Sequence, residues 1–454
     1  MRKTISLFLF VVGFNSFSQN KAVLYDFAGL PQTLLLNPGL ETNYKYHIGV
    51  PLLSGFSTDI GITGFTVSDV FAIDNASISD KISAVLQNLD NADYLKINSQ
   101  IEVFSAGFRW DKKTYISFGF YQELDAIVYF PKDFITLFNE GNSAYLNKNF
   151  NISQLAFKLD LSGVLHAGIT KKVSDELTVG GRFKIYSSAL NIESTNNTGT
   201  FTTSLGSNNI YVNQLNNINF NQRSSGIVAE NENTNDSTTF LKNTFLGDNS
   251  GVGLDFGLTY HINPQLQFSG SILDVGFVHH KKNIKNTAVE GSFVFEGIEF
   301  EYDSSRSYWQ ELDATLKEQI VTSENQESYI SWRPTRINTA IKYSFGEKRS
   351  KFCYDNISKD FYTDAFGVQL YSIFRPISLQ FAATGFYEKS FSKKMHAKVT
   401  YTVDDYSYSN IGVGVSFQLW KINFYGILDN VLELSDISKA NGFQLQFGFN
   451  LLFN

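Results

Sequence analysis

Apolar and polar residues alternate along the final stretch of the chain, Asn441–Asn454, with Leu452 as the only exception. One face carries glycine, glutamine and asparagine. The other face carries Phe443, Leu445, Phe447, Phe449, Leu451 and Phe453. A period of two predicts a β-strand, and about 9–11 residues suffice for a tilted strand to cross a bilayer. We interpret this stretch as the closing strand of an outer-membrane β-barrel.

The same alternation recurs along most of the chain. It is clearest in the last third, in Ile337–Phe345, Phe366–Phe374, Ile377–Ala383, Met395–Val403 and Ile411–Leu419. Earlier candidates are Tyr44–Val50, Asp59–Val67, Gln100–Trp110, Tyr115–Tyr121, Leu155–Leu161, Val179–Ile185, Val252–Tyr260, Leu266–Ile272 and a pair within Ala288–Tyr302. A closed barrel with both termini on one side has an even number of strands, so we predict an all-β barrel of about 14 antiparallel strands, with 12 to 16 allowed.

Two connections do not fit a regular barrel. Counting back from the terminal strand, the tight turn at Arg375-Pro376 falls on the side of the long loops. The longer segment Glu347–Asp360 falls on the side of the short turns. Either the strand assignment contains an error or the barrel is irregular.

Helical periodicity replaces the alternation inside some connections. Ser79–Leu89 has apolar residues at helical spacing behind a possible cap at Ser79, and Phe134–Phe138 follows a proline. Trp309–Ile320 suggests another amphipathic helix. Asn191–Ser250 is rich in Asn, Ser and Thr, and we interpret it as a long solvated loop with a possible hairpin near Ile210–Phe220.

Composition agrees with a strand-rich membrane protein. Aromatic residues make up 15% of the chain and charged residues 18%, whereas soluble proteins have about 25% charged residues. Mean hydropathy is nevertheless −0.13, and no run of about 18 apolar residues follows the N-terminus. A helical membrane protein is therefore excluded. The formal net charge of −7 argues against nucleic acid as a partner.

The N-terminus has the features of an export signal. Basic residues at Arg2 and Lys3 precede the apolar segment Ile5–Phe14, and small residues stand before Gln19. We therefore predict a signal peptide at 1–18, an N-terminal plug at 19–42 and the barrel at 43–454. In the plug, two prolines and a glycine flank the oily segment Leu34–Leu36, which favours an irregular, tucked-in peptide.

The order of several short motifs resembles a family of Bacteroidota outer-membrane proteins, the domain of unknown function 5723. These motifs are Tyr25-Asp26-Phe27, Leu30-Pro31-Gln32-Thr33, Asn37-Pro38-Gly39, Phe130-Pro131-Lys132-Asp133, Glu140-Gly141-Asn142, Leu161-Ser162-Gly163, Asp429-Asn430 and Phe447-Gly448-Phe449-Asn450. That family is distantly similar to FadL-type barrels, which transport long-chain fatty acids, and to PorP/PorV-type barrels of secretion and gliding systems. The resemblance implies a barrel of about 14 strands with an N-terminal plug, and it implies no activity or site residues.

Candidate chemistry is sparse. His279-His280 on a strand would point to opposite faces and cannot readily share a metal. Asn231–Asp236 has alternating oxygen ligands but lacks the glycine and glutamate of a calcium loop. Gly251–Gly253 and Gly412–Gly414 do not open helices after strands, so glycine facing a crowded lumen is the simpler interpretation. We predict no catalytic, cofactor-binding or metal-binding residues, no cofactor, and a protein that is not an enzyme.

Two functions remain open. The first is uptake of a hydrophobic or amphipathic small molecule through the plugged barrel, and an apolar pocket from rim to plug would favour it. The second is a non-transporting barrel that acts as a component of a secretion, gliding or envelope complex. A sealed lumen with a broad exposed aromatic patch would favour that alternative. Expected partners are outer-membrane lipid, the barrel-assembly machinery through the C-terminal strand, and a small molecule or an envelope protein.

Overall fold

The computed structural model describes residues 21–207, 210–226, 242–245, 247–296, 316–348, 361–404 and 410–453. Within these residues the alternating segments form strands that pair into one sheet. In chain order the strands are β1 (Tyr46–Gly49), β2 (Phe56–Ile62), β3 (Tyr94–Arg109), β4 (Thr114–Tyr129), β5 (Asn149–Asn151), β6 (Phe157–Lys172), β7 (Leu177–Leu205), β8 (Tyr211–Gly226), β9 (Ser250–His261), β10 (Leu266–His280), β11 (Ile284–Phe295), β12 (Ile320–Asn325), β13 (Tyr329–Trp332), β14 (Arg336–Lys348), β15 (Phe361–Phe374), β16 (Leu379–Ser392), β17 (Met395–Val403), β18 (Asn410–Leu419), β19 (Ile422–Asp429) and β20 (Gly442–Phe453).

Fourteen antiparallel strands close the barrel, as predicted. β1 and β2 form one interrupted strand, because both pair with β3 on one side and with β20 on the other. β13 and β14 likewise share β10 as a neighbour. The pairing of the first strand with β20 closes the sheet, so the barrel has no free edge.

The two faces of the barrel wall have opposite chemistry. Side chains on the inner face are polar and buried, among them Gln100, Glu123, Asp255, Gln369, Lys398 and Gln444. Side chains on the outer face are apolar and exposed to the surroundings, among them Ile60, Phe118, Phe183, Phe256, Val368 and Phe417. A soluble protein buries its apolar face, whereas a barrel surrounded by lipid exposes it.

The barrel has a turn end and a loop end. At the turn end the connections are short, as at 110–113, 173–176, 262–265 and 420–421. At the loop end lie the longer connections, which carry the helices. The irregularity noted in the sequence is real: β15 and β16 are joined at the loop end by the tight turn 375–378. Lys348 pairs with Phe361 at the turn end, so 349–360 connects the strands there.

The sheet continues beyond the barrel at the loop end, and we call this part the outer sheet. The distal half of β7 pairs with β8 and β5, β8 pairs with β11, and β11 pairs with β12. The prediction of a long solvated loop across 191–250 is therefore wrong as far as Gly226. Asn, Ser and Thr occupy both faces of these strands, so the period-two hydrophobic signal is missing although the backbone is extended. The predicted hairpin near Ile210–Phe220 is β8 paired with the distal half of β7.

Short helices lie in the loop-end connections. They are α1 (Val67–Phe71), α2 (Ile78–Asn88) and α3 (Lys132–Glu140), with 3-10 turns at Val431–Glu433 and Ile437–Lys439; a further 3-10 turn, Pro31–Leu35, precedes β1. α2 and α3 confirm predicted helices, but the α2 cap is Ser77, whose hydroxyl accepts the Asp80 N–H, and not Ser79. The predicted strand Asp59–Val67 is wrong at its end, because β2 ends at Ile62 and Val67 begins α1. The helix suggested at 309–320 lies largely outside the described residues, and Ile320 begins β12.

No helix among the described residues has the length and apolar character that a membrane-crossing helix needs.

Candidate functional site

The segment 21–44, called here the plug, lies inside the lumen in the half nearer the turn end. Prolines and a short 3-10 turn at Pro31–Leu35 keep it compact. Its apolar side chains are almost fully buried. Val23, Leu24, Tyr25, Phe27, Leu30 and Leu36 pack against Ala340, Tyr425 and Ile427 of the barrel wall. Ala340 lies on β14 and the other two on β19, strands that are not neighbours; we call the three residues together the inner apolar patch, and the plug covers them.

Gln32 is the main polar anchor of the plug. Its Nε2, which has two hydrogens to share, lies within hydrogen-bond distance of the Ser54 carbonyl (3.0 Å), Glu102 Oε1 (3.2 Å) and Asn450 Oδ1 (3.0 Å). Its Oε1 accepts a hydrogen bond from Asn450 Nδ2 at 3.0 Å. Gln32 is 3% exposed, so these bonds replace hydration that the amide has lost. One plug residue thereby connects β3, β20 and the link between β1 and β2.

Lysines of the wall hold the first part of the plug. Lys398 Nζ donates to the carbonyl oxygens of Tyr25 (2.7 Å) and Ala22 (3.3 Å). Lys342 lies between the plug and β16, with Nζ 3.1 Å from Asp26 Oδ2 and 3.4 Å from Glu388 Oε2. Cations from β14 and β17 thus compensate carbonyl and carboxylate oxygens of the plug.

At the end of the plug, residues 37–39 are in close contact with the backbone of the barrel wall. A Cβ atom added to Gly180 would lie 1.9 Å from the Pro38 carbonyl oxygen, and one added to Gly257 would lie 2.0 Å from Asn37 Oδ1. Thr170 Oγ1 donates to the same Pro38 carbonyl at 2.6 Å. The glycines of β7 and β9 therefore allow a contact that any other residue would prevent.

Ion pairs fill the lumen between the plug and the loop end. Glu123 pairs with Arg333 and with Arg336, the latter at 2.7 Å. Lys184 lies 2.7 Å from Asp274 and 2.9 Å from Asp255. Asp125 and Arg375 form a bidentate ion pair in the same region. Apart from Arg336, whose side chain is 15% exposed, these side chains are nearly inaccessible, so each charge depends on its partner.

Little free space remains in this part of the lumen. The cavities beside the ion pairs measure about 20 and 40 Å³, and charged residues line both. The larger space lies on the other side of the plug. A vestibule of about 630 Å³ opens at the turn end beneath Asp26, Ala28 and Gly29. An apolar pocket from rim to plug is not present among the described residues.

The first barrel strand is irregular beside the plug, where residues 50–55 keep backbone hydrogen bonds to β3 and β20. Residues 50–55, between β1 and β2, stand opposite only residues 448–449 of β20. Leu52 (φ +63°) and Leu53 are 59% and 48% exposed on the outer face, whereas the Ser54 carbonyl points into the lumen toward Gln32. Positive φ at a leucine is strained, and such strain concentrates at functional sites.

Comparison with known proteins places the chain in a family. Residues 38–429 match the model of a family of unknown function, DUF5723. The chain belongs to this family. The resemblance found in the sequence is thereby confirmed, whereas a Bacteroidota origin and a likeness to PorP/PorV-type barrels stay predictions. No curated protein matches the sequence.

Solved barrels are similar to this DUF5723 member at low sequence identity and low TM-score. A Pseudomonas aeruginosa FadL homologue is 8% identical with a TM-score of 0.43, over 97% of this chain and 100% of that chain. The Ralstonia pickettii toluene transporter TbuX is 11% identical with a TM-score of 0.39, over 94% and 95%. The translocator domain of the Neisseria meningitidis autotransporter NalP is 8% identical with a TM-score of 0.30, over 92% and 91%. At these scores the likeness gives no ligand for this chain.

The structure separates the residues that the sequence raised as candidates in this DUF5723 member. His280 is buried, stacks on Tyr329 and bonds Ser225 through Nδ1, whereas His279 is exposed. Asn231–Asp236 lies outside the described residues. No group of three potential ligands among the described residues could hold a metal.

The glycine pairs face crowded surroundings, as the simpler interpretation predicted. A Cβ on Gly414 would lie 2.5 Å from Val23 of the plug, and one on Gly253 would lie 2.3 Å from the Tyr186 hydroxyl. Sequence reasoning did not find Gln32 as an anchor. Its only signal was a polar residue inside an otherwise oily, proline-bracketed segment.

Proposed function

We propose that this protein is an outer-membrane transporter for small hydrophobic or amphipathic molecules, and that its plug must move for passage. The observation that carries this proposal is the covered inner apolar patch. In a lumen otherwise lined by charged and amide side chains, the aliphatic and aromatic residues of the plug occupy the apolar part of the wall. A movable segment whose apolar side chains cover an apolar surface would compete with an apolar cargo for that surface.

The described state is closed. With the plug in place, the cavities beside the ion pairs are small, and an apolar molecule there would have to separate buried charged side chains from their partners. Displacement of the plug would expose Ala340, Tyr425 and Ile427. It would also release the Ser54 carbonyl from Gln32, which leaves the Tyr425 hydroxyl, at 3.3 Å, as the inner partner of that carbonyl. An apolar molecule could then leave sideways, where the outer face is apolar.

The test compares the full chain with a variant that lacks residues 20–39. Both proteins are purified in mild detergent, checked for heat-modifiable gel mobility as a sign of a folded barrel, and reconstituted. We expect the deletion to raise conductance in planar bilayers. We also expect faster entry of a fluorescent amphiphile into proteoliposomes. If conductance and entry are both unchanged, the plug does not gate the barrel. If only ion conductance rises, the cargo class is wrong.

A second function has an observation in its favour. The helices and turns at the loop end expose apolar side chains to solvent. They are Val67, Phe71, Ile73, Ile78, Phe134, Phe138, Leu432 and Ile437. Together with a closed lumen, this surface supports a component of a secretion, gliding or envelope complex. Native mass spectrometry of protein extracted from its own membrane separates the two functions. A retained mass of a few hundred daltons indicates a cargo, and a stoichiometric protein indicates a complex.

Export and assembly form part of the same proposal. An apolar outer face and a polar inner face suit a barrel in the outer membrane. The predicted signal peptide at 1–18, which lies outside the described residues, would direct the chain there. The C-terminal strand β20 would be the element that the assembly machinery contacts. Cell fractionation tests this, because recovery of the chain in a soluble fraction would contradict an outer-membrane location.

A further inference from the structure

The sheet beyond the barrel carries an ordered row of polar side chains on the face that continues the lumen wall. Glu193 of β7 pairs in register with Arg223 of β8, Arg223 with Asn286 of β11, and Asn286 with Asn325 of β12. Directly paired residues share a face of a sheet. These four side chains therefore line up across four strands on one surface.

A groove of about 290 Å³ lies along this row. The segment Glu327–Tyr329 forms one side of it, and Asn221, two residues from Arg223 on the same strand, continues the polar face. Asn286 is held in place, because its Nδ2 donates to Asn325 Oδ1 (2.8 Å) and to the Glu327 carbonyl (2.9 Å). The amides of the groove thus have a fixed orientation.

Hydrogen-bonding capacity remains in the groove. Asn286 Oδ1 accepts no hydrogen bond from any described residue but is shielded from solvent, so the accessible capacity lies with side chains such as Arg223. The Arg223 guanidinium lies 5.6 Å from the centre of the Tyr329 ring. Within the described part of the chain, Arg223 has no carboxylate within ion-pair distance, since Glu193 beside it pairs with Lys158 at 3.1 Å. Planar amide and guanidinium groups present adjacent donors and acceptors at fixed spacing.

The chemistry of the groove excludes two classes of ligand. Arg223 and Glu327 supply one charge of each sign, so the lining has no excess charge to attract a polyanion or a polycation. The Tyr329 ring stacks on His280 (4.6 Å between ring centres) and is covered by Arg223, which leaves no apolar surface for a hydrocarbon. A neutral molecule with many hydroxyl groups fits what remains, because each hydroxyl both donates and accepts.

We propose that this groove binds a neutral oligosaccharide at the mouth of the barrel. This inference is independent of the proposed transport, because the groove lies on the outer sheet and has no contact with the plug. The saccharide could belong to the surface polysaccharide of the same cell or to a glycan from outside it. Both sources present the same vicinal hydroxyl groups.

The full chain in detergent is applied to a printed array that holds neutral and uronic-acid oligosaccharides from bacterial envelopes and from plants. We expect binding to neutral oligosaccharides, and the responding group identifies the source. Arg223→Gln and Asn286→Ala should each weaken binding by about tenfold, because the first loses donors to the ligand and the second releases Asn325 and Glu327. Lys285→Gln is the matched control. It neighbours Asn286 on β11, but its side chain is 54% exposed on the opposite face.

Three outcomes overturn the proposal. The wild-type chain binds no neutral oligosaccharide, it binds only acidic ones in a salt-sensitive manner, or the control variant loses binding as much as the groove variants do. Heat-modifiable gel mobility, measured for every variant, shows that a loss of binding does not arise from an unfolded barrel.

Discussion

Replacing Gln32 by alanine should loosen the plug more than any other single truncation within it. The substitution removes the amide whose nitrogen and oxygen join the plug to Ser54, Glu102 and Asn450. It also leaves those partners buried with unfilled hydrogen-bonding positions. Because Glu102 and Asn450 are 2% and 0% exposed, water cannot reach them unless the plug moves.

The size of the effect follows from the number of bonds. A buried hydrogen bond contributes about 1 kcal/mol net, and an orphaned buried polar group costs about 1–3 kcal/mol. Loss of the Gln32 set should therefore weaken the closed state by about 3–4 kcal/mol. A change of that size raises the population of the displaced plug by about two to three orders of magnitude. The fourteen barrel strands are not touched, so the barrel itself should stay folded.

Hydrogen exchange read by mass spectrometry measures this directly. Peptides that cover residues 21–44 should lose protection by about 100-fold in Gln32→Ala, while peptides from the barrel strands keep theirs. Gln380→Ala is the matched control. Gln380 is equally buried, but its side-chain nitrogen and oxygen have no hydrogen-bond partner among the described residues. Unchanged plug protection in Gln32→Ala, or an equal loss in the control, would refute the reasoning.

Three further predictions address other contacts of the lumen. Gly180→Ala should displace the end of the plug, because the new Cβ would lie 1.9 Å from a carbonyl oxygen. Hydrogen exchange at residues 37–40 should therefore accelerate. Gly385→Ala, with open space at that position, is the control and should change nothing. Glu123→Gln removes the carboxylate that pairs with Arg333 and Arg336, so the urea midpoint of the barrel should fall by an amount equivalent to about 3–5 kcal/mol. An unchanged midpoint would mean that water already screens these pairs. Lys342→Met removes the cation beside Asp26, so hydrogen exchange should accelerate at residues 26–29 while the rest of the plug stays protected. Acceleration along the whole plug would contradict a local role for Lys342.

The sequence by itself determined the class of the molecule. A period-two pattern reports which face of a strand is apolar, and it does so wherever one face contacts lipid. The alternation in β20 and its relatives was therefore enough for a barrel of about 14 strands. The prolines around Leu34–Leu36 were enough for an irregular N-terminal segment, because proline prevents a regular helix or strand there.

The outer sheet shows where that signal ends. β8 and the distal half of β7 are extended, but they carry Asn, Ser and Thr on both faces, so no periodicity distinguishes them from a loop. The same limit hides the saccharide groove. Arg223 and Asn286 come together only because β8 and β11 pair in one particular register, and a polar strand does not specify its own register.

Only the tertiary structure decided how the lumen is closed. Gln32 and Asn450 are joined across 418 positions of the chain, and Glu123 meets Arg333 and Arg336 from the opposite part of the barrel. Such pairs depend on barrel closure and on the stagger between strands, which no local pattern encodes. Alternation reports that a side chain faces inward, whereas its partner is set by the geometry of the whole closed sheet.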